Sequence, residues 1–160
     1  MTADLSHFDD HGHARMVDVT DKAPTTRVAT AGISVLMQST TLATIVEGRV
    51  NKGDVLAVAR LAGILAAKRT ADLIPLCHPL PLTAITIDAV ADHDRNAIDI
   101  TASCRVCGGT GVEMEALTAA AIAALTVYDM CKSIDRGMRI TDLRLLYKSG
   151  GQSGEYIADR

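Results

Sequence analysis

The sequence predicts an α+β domain: an antiparallel sheet with its helices on one face, in a split βαβ arrangement. Three observations carry that expectation. Strand-like and helix-like patterns fall in the order strand, helix in two pieces, strand, strand, helix, strand. The two middle strands are separated by a compact polar turn, Asp92-His93-Asp94-Arg95-Asn96, which reads as a hairpin. The chain has 160 residues, enough for one self-sufficient core and too few for two domains.

Each element has its own justification. Residues 1–25 carry few apolar side chains apart from Met16-Val17-Asp18-Val19, and read as an N-terminal arm. From Thr26 to Met37, Ile33, Val35 and Met37 recur at every second position, a strand pattern. A short helix follows, with Ser39 as expected N-cap, Leu42, Ile45 and Val46 as its apolar stripe and Gly48 as terminator. After the turn Asn51-Lys52-Gly53-Asp54, Asp54 is placed to cap a second helix from Val55 to about Thr70. Pro75, Pro79 and Pro81 then forbid both helix and central strand. Leu82–Val90 and Ala97–Val106 alternate as the arms of the hairpin. Gly108-Gly109-Thr110-Gly111 leads into the longest helix, Val112 to about Ser133, rich in Ala and Leu. Beyond Gly137, Met138–Tyr147 reads as the last strand. The domain proper thus spans 26–148, and 149–160 is expected to be a flexible glycine-rich tail. That order of elements is the ferredoxin-like one. It leaves the second face of the sheet without helices, which favours an oligomer.

Composition narrows the function. The chain holds 24 alanines but no Trp, one Phe and three Tyr, so it lacks the rings that nucleic-acid stacking surfaces and aromatic cages need. A net charge of −3 gives no basic footprint for nucleic acid. No run of 18 apolar residues occurs and the N-terminus is acidic, so neither a membrane span nor a signal peptide is expected. Cys77, Cys104, Cys107 and Cys131 read as reduced thiols of a cytoplasmic domain. Cys104 and Cys107 form a lone C-x-x-C with no second pair at zinc-ribbon spacing, and His7, His11 and His13 lie in the arm. No structural metal is expected.

Several features point to chemistry. The glycine run offers backbone N–H groups at a helix start, an anion-binding arrangement that here lacks the Lys-Ser/Thr ending of a P-loop. Glu113 and Glu115 open the long helix and suit its dipole, whereas Asp129 opposes the dipole at the far end, three residues from Lys132. That pair reads either as a surface ion pair or as an acid–base couple. Glu115 and Asp129 are separated by about 21 Å of helix yet return to nearly the same face, so one compact site on one chain cannot use both. If both ends are functional, two protomers must share the pocket. Lys52 and Lys148 stand in loops, where a solvated role competes with a functional one. Leu76-Cys77-His78 is fixed between prolines and presents a titratable His, unless that ring is merely bonded to backbone.

Longer blocks carry a resemblance. They are His13–Thr20, Lys52–Val55, Ala66–Leu80, Thr110–Ala120, Tyr128–Lys132 and Lys148–Gly154. Together they resemble the cyclic pyranopterin monophosphate synthase family, also described as molybdenum cofactor biosynthesis accessory protein C, from about residue 11 to 155. The resemblance implies a ferredoxin-like fold and a hexamer built as a trimer of dimers, with active sites at the dimer interface. It implies conversion of a GTP-derived small molecule, 3′,8-cyclo-7,8-dihydroguanosine 5′-triphosphate, into cyclic pyranopterin monophosphate plus pyrophosphate, a phosphorus–oxygen lyase reaction. Asp129, Lys52 and Lys132 match its catalytic residues. Leu76, Cys77, His78, Met114 and Glu115 match its substrate contacts, and Arg27, Glu113 and Lys148 match further pocket positions. No tightly held cofactor is implied; Mg2+ enters only as a possible companion of the triphosphate. Gly109 and Cys107 depart from the family pattern, where Lys and Thr are familiar, so one phosphate contact is expected to differ.

The residue types suit that chemistry. Proton transfers call for a Lys with a lowered pKa beside another cation, and Lys52 is the expected base. Attack of a ribose hydroxyl on the α-phosphorus expels pyrophosphate, whose charge Lys132, Lys148 and Arg27 can neutralise. The rival reading is a non-catalytic, oligomeric ferredoxin-like domain that binds a regulatory nucleotide. It accounts for fold and glycine runs but not for separated Lys, Asp, Glu and His positions meeting at one interface. A zinc-binding structural module is a third.

Overall fold

The computed structural model describes residues 11–159; His7 and the acidic N-terminus lie outside them. Five strands form one antiparallel sheet: β1 (Thr25–Leu36), β2 (Ala84–Asp92), β3 (Ala97–Gly108), β4 (Arg139–Ser149) and β5 (Tyr156–Ile157). The helices are α1 (Ser39–Val46), α2 (Val55–Ala67), α3 (Thr70–Leu73) and α4 (Glu113–Cys131). The sheet order β2-β3-β1-β4-β5 inserts β3 between β1 and β2, the split βαβ of a ferredoxin-like α+β fold.

Alternation sets the two faces of the sheet. Ala29, Ala31, Ile33 and Val35 of β1 point into the core with Ile98, Ile100, Ala102, Cys104 and Val106 of β3. On the opposite face, Thr30 and Ser103 are cross-strand neighbours whose hydroxyls lie 2.7 Å apart. α4 covers the core face. Its Ala116, Ala119, Ala120, Ala123 and Ala124 are fully buried, and small side chains let it approach sheet and α2 closely. Gly63 of α2 marks the tightest point, where a methyl group would meet the Ala119 carbonyl at 3.0 Å and Ile87 at 3.1 Å. On length and apolarity alone α4 could cross a bilayer, but here it is the core helix.

Three local expectations are corrected. Ser39 is not the cap of α1: Gln38 holds that position and its side chain makes no capping bond. The second helix does not run to Thr70 but ends at Ala67. There the Thr70 hydroxyl turns back to the carbonyls of Ala66 (3.3 Å) and Ala67 (3.0 Å), and the short α3 starts afresh. After β4 the chain returns to the sheet as β5, pairing Tyr147 with Ile157 and Lys148 with Tyr156. The Asp54 cap of α2 is as expected, accepting the Ala57 N–H at 3.0 Å.

Candidate active site

The candidate residues gather at the two ends of α4. At its C-terminal end Asp129 lies between two lysines. Lys132, one helical turn on, approaches Oδ1 at 2.6 Å. Lys52, brought from the turn between α1 and α2, donates to the Asp129 carbonyl at 2.9 Å and lies 3.4 Å from Oδ2. The hydrogen bond and charge of Lys132, then those of Lys52, hold the Asp129 carboxyl below its usual range. Lys132 is pushed the other way, its proton held more tightly by Asp129.

The N-terminal end is more enclosed. Lys148, at the end of β4, bonds Glu113 in the first turn of α4 at 2.9 Å and Ser153 at 3.0 Å. Glu115, a turn-mate of Glu113, is buried, and desolvation raises its pKa, with the Glu113 charge adding to the effect. It lines a cavity of about 360 Å³ with His78, Thr70, Lys68 and the Pro79–Pro81 segment. His78 Nε2 lies 2.8 Å from the Val17 carbonyl; since a carbonyl only accepts, this nitrogen carries the hydrogen. The ring thereby ties the N-terminal arm to the proline-fixed loop. Burial and the neighbouring Glu115 charge raise the Cys77 thiol, which argues against a thiolate there. Leu76 is half-buried beside it, and Met114 stands exposed on the helix rim.

Arg27 of β1 completes this end. Its Nη2 donates to the Gly109 carbonyl at 3.3 Å, while its buried Nε has no partner. The guanidinium borders a cavity of about 630 Å³ with Lys22, Thr110, Gly151 and Gln152. Gly150 has φ +98°, and a Cβ there would run into the backbone carbonyl of Thr26, so glycine is needed where the tail folds back against β1. Sequence reasoning missed Lys22, Gln152 and Ser153 as members of this cluster. The block Lys148–Gly154 marked the segment but could not reveal its fold against β1 and Glu113.

Among the described residues no three His, Cys, Asp or Glu side chains gather in a metal-binding group. Cys104 is buried and Cys107 exposed, as strand alternation requires at i and i+3, so the two cannot face one ion. The rings of His11 and His13 lie 6.3 Å apart.

Thus Asp129, Lys52 and Lys132 form one cluster, and Arg27, Glu113, Glu115, Lys148 and His78 line the surroundings of the other, with Cys77 within reach of the Glu115 charge. Fold and charged groups define a class: a ferredoxin-like α+β protein that gathers lysines and carboxylates in two clusters at opposite ends of α4. The chain belongs to the MoaC family, whose model matches residues 16–151. It is 60% identical to a cyclic pyranopterin monophosphate synthase of Rhodospirillum rubrum over 98% of this chain and 95% of that one. The corresponding proteins of Dinoroseobacter shibae (57%; 97% and 98% covered) and Cereibacter sphaeroides (56%; 96% and 97% covered) carry the same name.

Proposed function

We infer that this chain is a cyclic pyranopterin monophosphate synthase of molybdenum cofactor biosynthesis. The observation that carries the reading is the Lys52–Asp129–Lys132 cluster in a chain that matches the named synthases almost end to end. The reaction is a phosphorus–oxygen lyase step on the cyclised GTP-derived triphosphate, in the cytoplasm. A ribose hydroxyl attacks the α-phosphorus, and pyrophosphate leaves.

The side chains divide that work. Lys132, held protonated by Asp129, suits the charge of the departing pyrophosphate. Lys52 is the base of the sugar–purine rearrangement, and Asp129 orients both lysine side chains and relays protons. Arg27 and Lys148 grip phosphate oxygens from the enclosed end. Where the family resemblance suggests Lys in place of Gly109, Lys22 borders the same cavity and offers the missing cation. His78, Leu76, Met114 and Glu115 hold the heterocycle by hydrogen bonds and aliphatic contact, since a chain with no Trp, one Phe and three Tyr has few rings to stack on it.

The two clusters stand about 21 Å apart along α4, too far for one substrate. A homodimer with α4 ends of different protomers opposed, assembled further into a hexamer, brings them together. Incubating the purified protein with the cyclised triphosphate tests the reading. Release of pyrophosphate with formation of the cyclic monophosphate supports it; binding without turnover would instead favour the regulatory nucleotide-binding domain.

A further inference from the structure

Asp135 is a buried carboxylate to which the mechanism above gives no part. Only 3% of it is exposed, yet each of its oxygens has a partner. Oδ1 accepts the Gly137 N–H at 3.0 Å, closing the turn after α4. Oδ2 accepts the backbone N–H of Gln38 at 2.9 Å and the hydroxyl of buried Thr41 at 3.2 Å. Gln38 is the N-cap of α1, and its own side chain provides no capping bond. Asp135 therefore supplies the start of α1 with an acceptor and a negative charge from 97 residues away.

The contacts form a ring. Asp135 stands three residues after Lys132, and its backbone N–H bonds the Cys131 carbonyl at 3.0 Å. On the other side it grips α1, whose C-terminus leads directly into the turn that carries Lys52. Lys52 in turn reaches Asp129 on α4. Two links thus join the α1–Lys52 segment to the end of α4: the exposed Lys52–Asp129 contact, and the buried Asp135 clamp. An exposed ion pair between long side chains holds geometry weakly. A buried carboxylate with three bonds holds it firmly.

We propose that Asp135 is a positioning residue for the catalytic cluster, fixing the spacing of Lys52 and Lys132 about Asp129 through α1 and the α4 end. The proposal rests on the synthase reading, and a misplacement of the order of 1 Å is enough to matter for catalysis. In the full-length protein, Asp135→Ala is expected to lower kcat for pyrophosphate release roughly 10- to 100-fold while KM moves less than about threefold. Asp135→Asn keeps one oxygen for Gln38 and Thr41 and is expected to regain most of that loss. A kcat within twofold of wild type for Asp135→Ala overturns the proposal, as does an Asn variant no better than Ala, or a loss that appears in KM. If Asp135→Ala does not fold, Thr41→Val removes a single bond and should lower kcat about threefold at unchanged KM; unchanged kcat overturns the proposal. Wild-type protein without turnover overturns the synthase reading instead. The positioning then stands or falls on the NMR signals of the Lys52 and Lys132 ammonium groups, which must shift in Asp135→Ala.

Discussion

At the N-terminal end of α4, Lys148 and Glu113 meet with 26% and 29% of their side chains exposed; at the C-terminal end, Asp129 keeps 60% and its lysines about half. The chain walls the first end by itself, with the arm, the proline-fixed loop and the glycine tail. It leaves the second open. Exposed pairs contribute little to stability, so the Lys52–Asp129–Lys132 cluster has no folding reason to exist in that form. On the proposed reading, the enclosed end holds the ligand and the open end supplies reactive charge to a site completed by a second protomer.

The largest effect should come from the open end. Asp129→Asn removes the charge between the lysines and is expected to lower kcat by about a thousandfold or more, with melting temperature and oligomer size unchanged. A comparable loss of stability would mean that the open end is structural after all. Mixing that variant with Glu113→Gln separates shared from single-chain sites. If the ends belong to different protomers, random pairing restores roughly a quarter of wild-type turnover, since half the dimers carry one intact site. No recovery on co-refolding would break the comparison at its root.

Lys148→Met should act differently, raising KM about tenfold and costing roughly 1–2 kcal/mol because Glu113 loses a half-buried partner. Denaturant titration beside substrate kinetics reads both, and an effect on kcat alone would contradict the division. The smallest effect concerns the core beneath the enclosed end. Desolvation, with Glu115 adding to it, pushes Cys104 up to about 12 from an ordinary value of 9.0. The unfolded chain therefore loses this proton first. The stability from the protonated thiol is complete below about pH 9 and fades as pH climbs toward 12. Cys104→Ser should flatten that alkaline decline in melting temperature; an unchanged slope would show that another group causes it.

Much of the frame was legible in the sequence because it is local. Asp54 precedes its helix, the Asp92–Asn96 turn joins its two strands, and prolines 75, 79 and 81 exclude regular structure wherever they lie. Most residues of the two clusters, though not Lys22, Gln152 and Ser153, could be picked out, largely through the family resemblance. Their pairing could not. Lys148 meets Glu113 across 35 residues and Lys52 meets Asp129 across 77, and no periodicity records such partners. The Ser39 cap failed for the same reason: the acceptor that serves α1 is Asp135, invisible to any window around the helix. Tyr156 and Ile157 are too short a run to announce β5, whose pairing depends on β4 being already in place.

The 19 residues of α4 run without a break between the two clusters. A helix of this kind is a phased spacer, and its tolerance to change is unequal. Substitutions along the solvent side leave the phase intact. Deleting or inserting one residue would turn Asp129 by about 100° relative to Glu115 and shift it by about 1.5 Å, while pulling the alanine stripe out of register with the sheet. Descendants of this sequence can therefore vary at an exposed α4 position outside the two clusters, such as Leu125, but not in how many residues the helix counts.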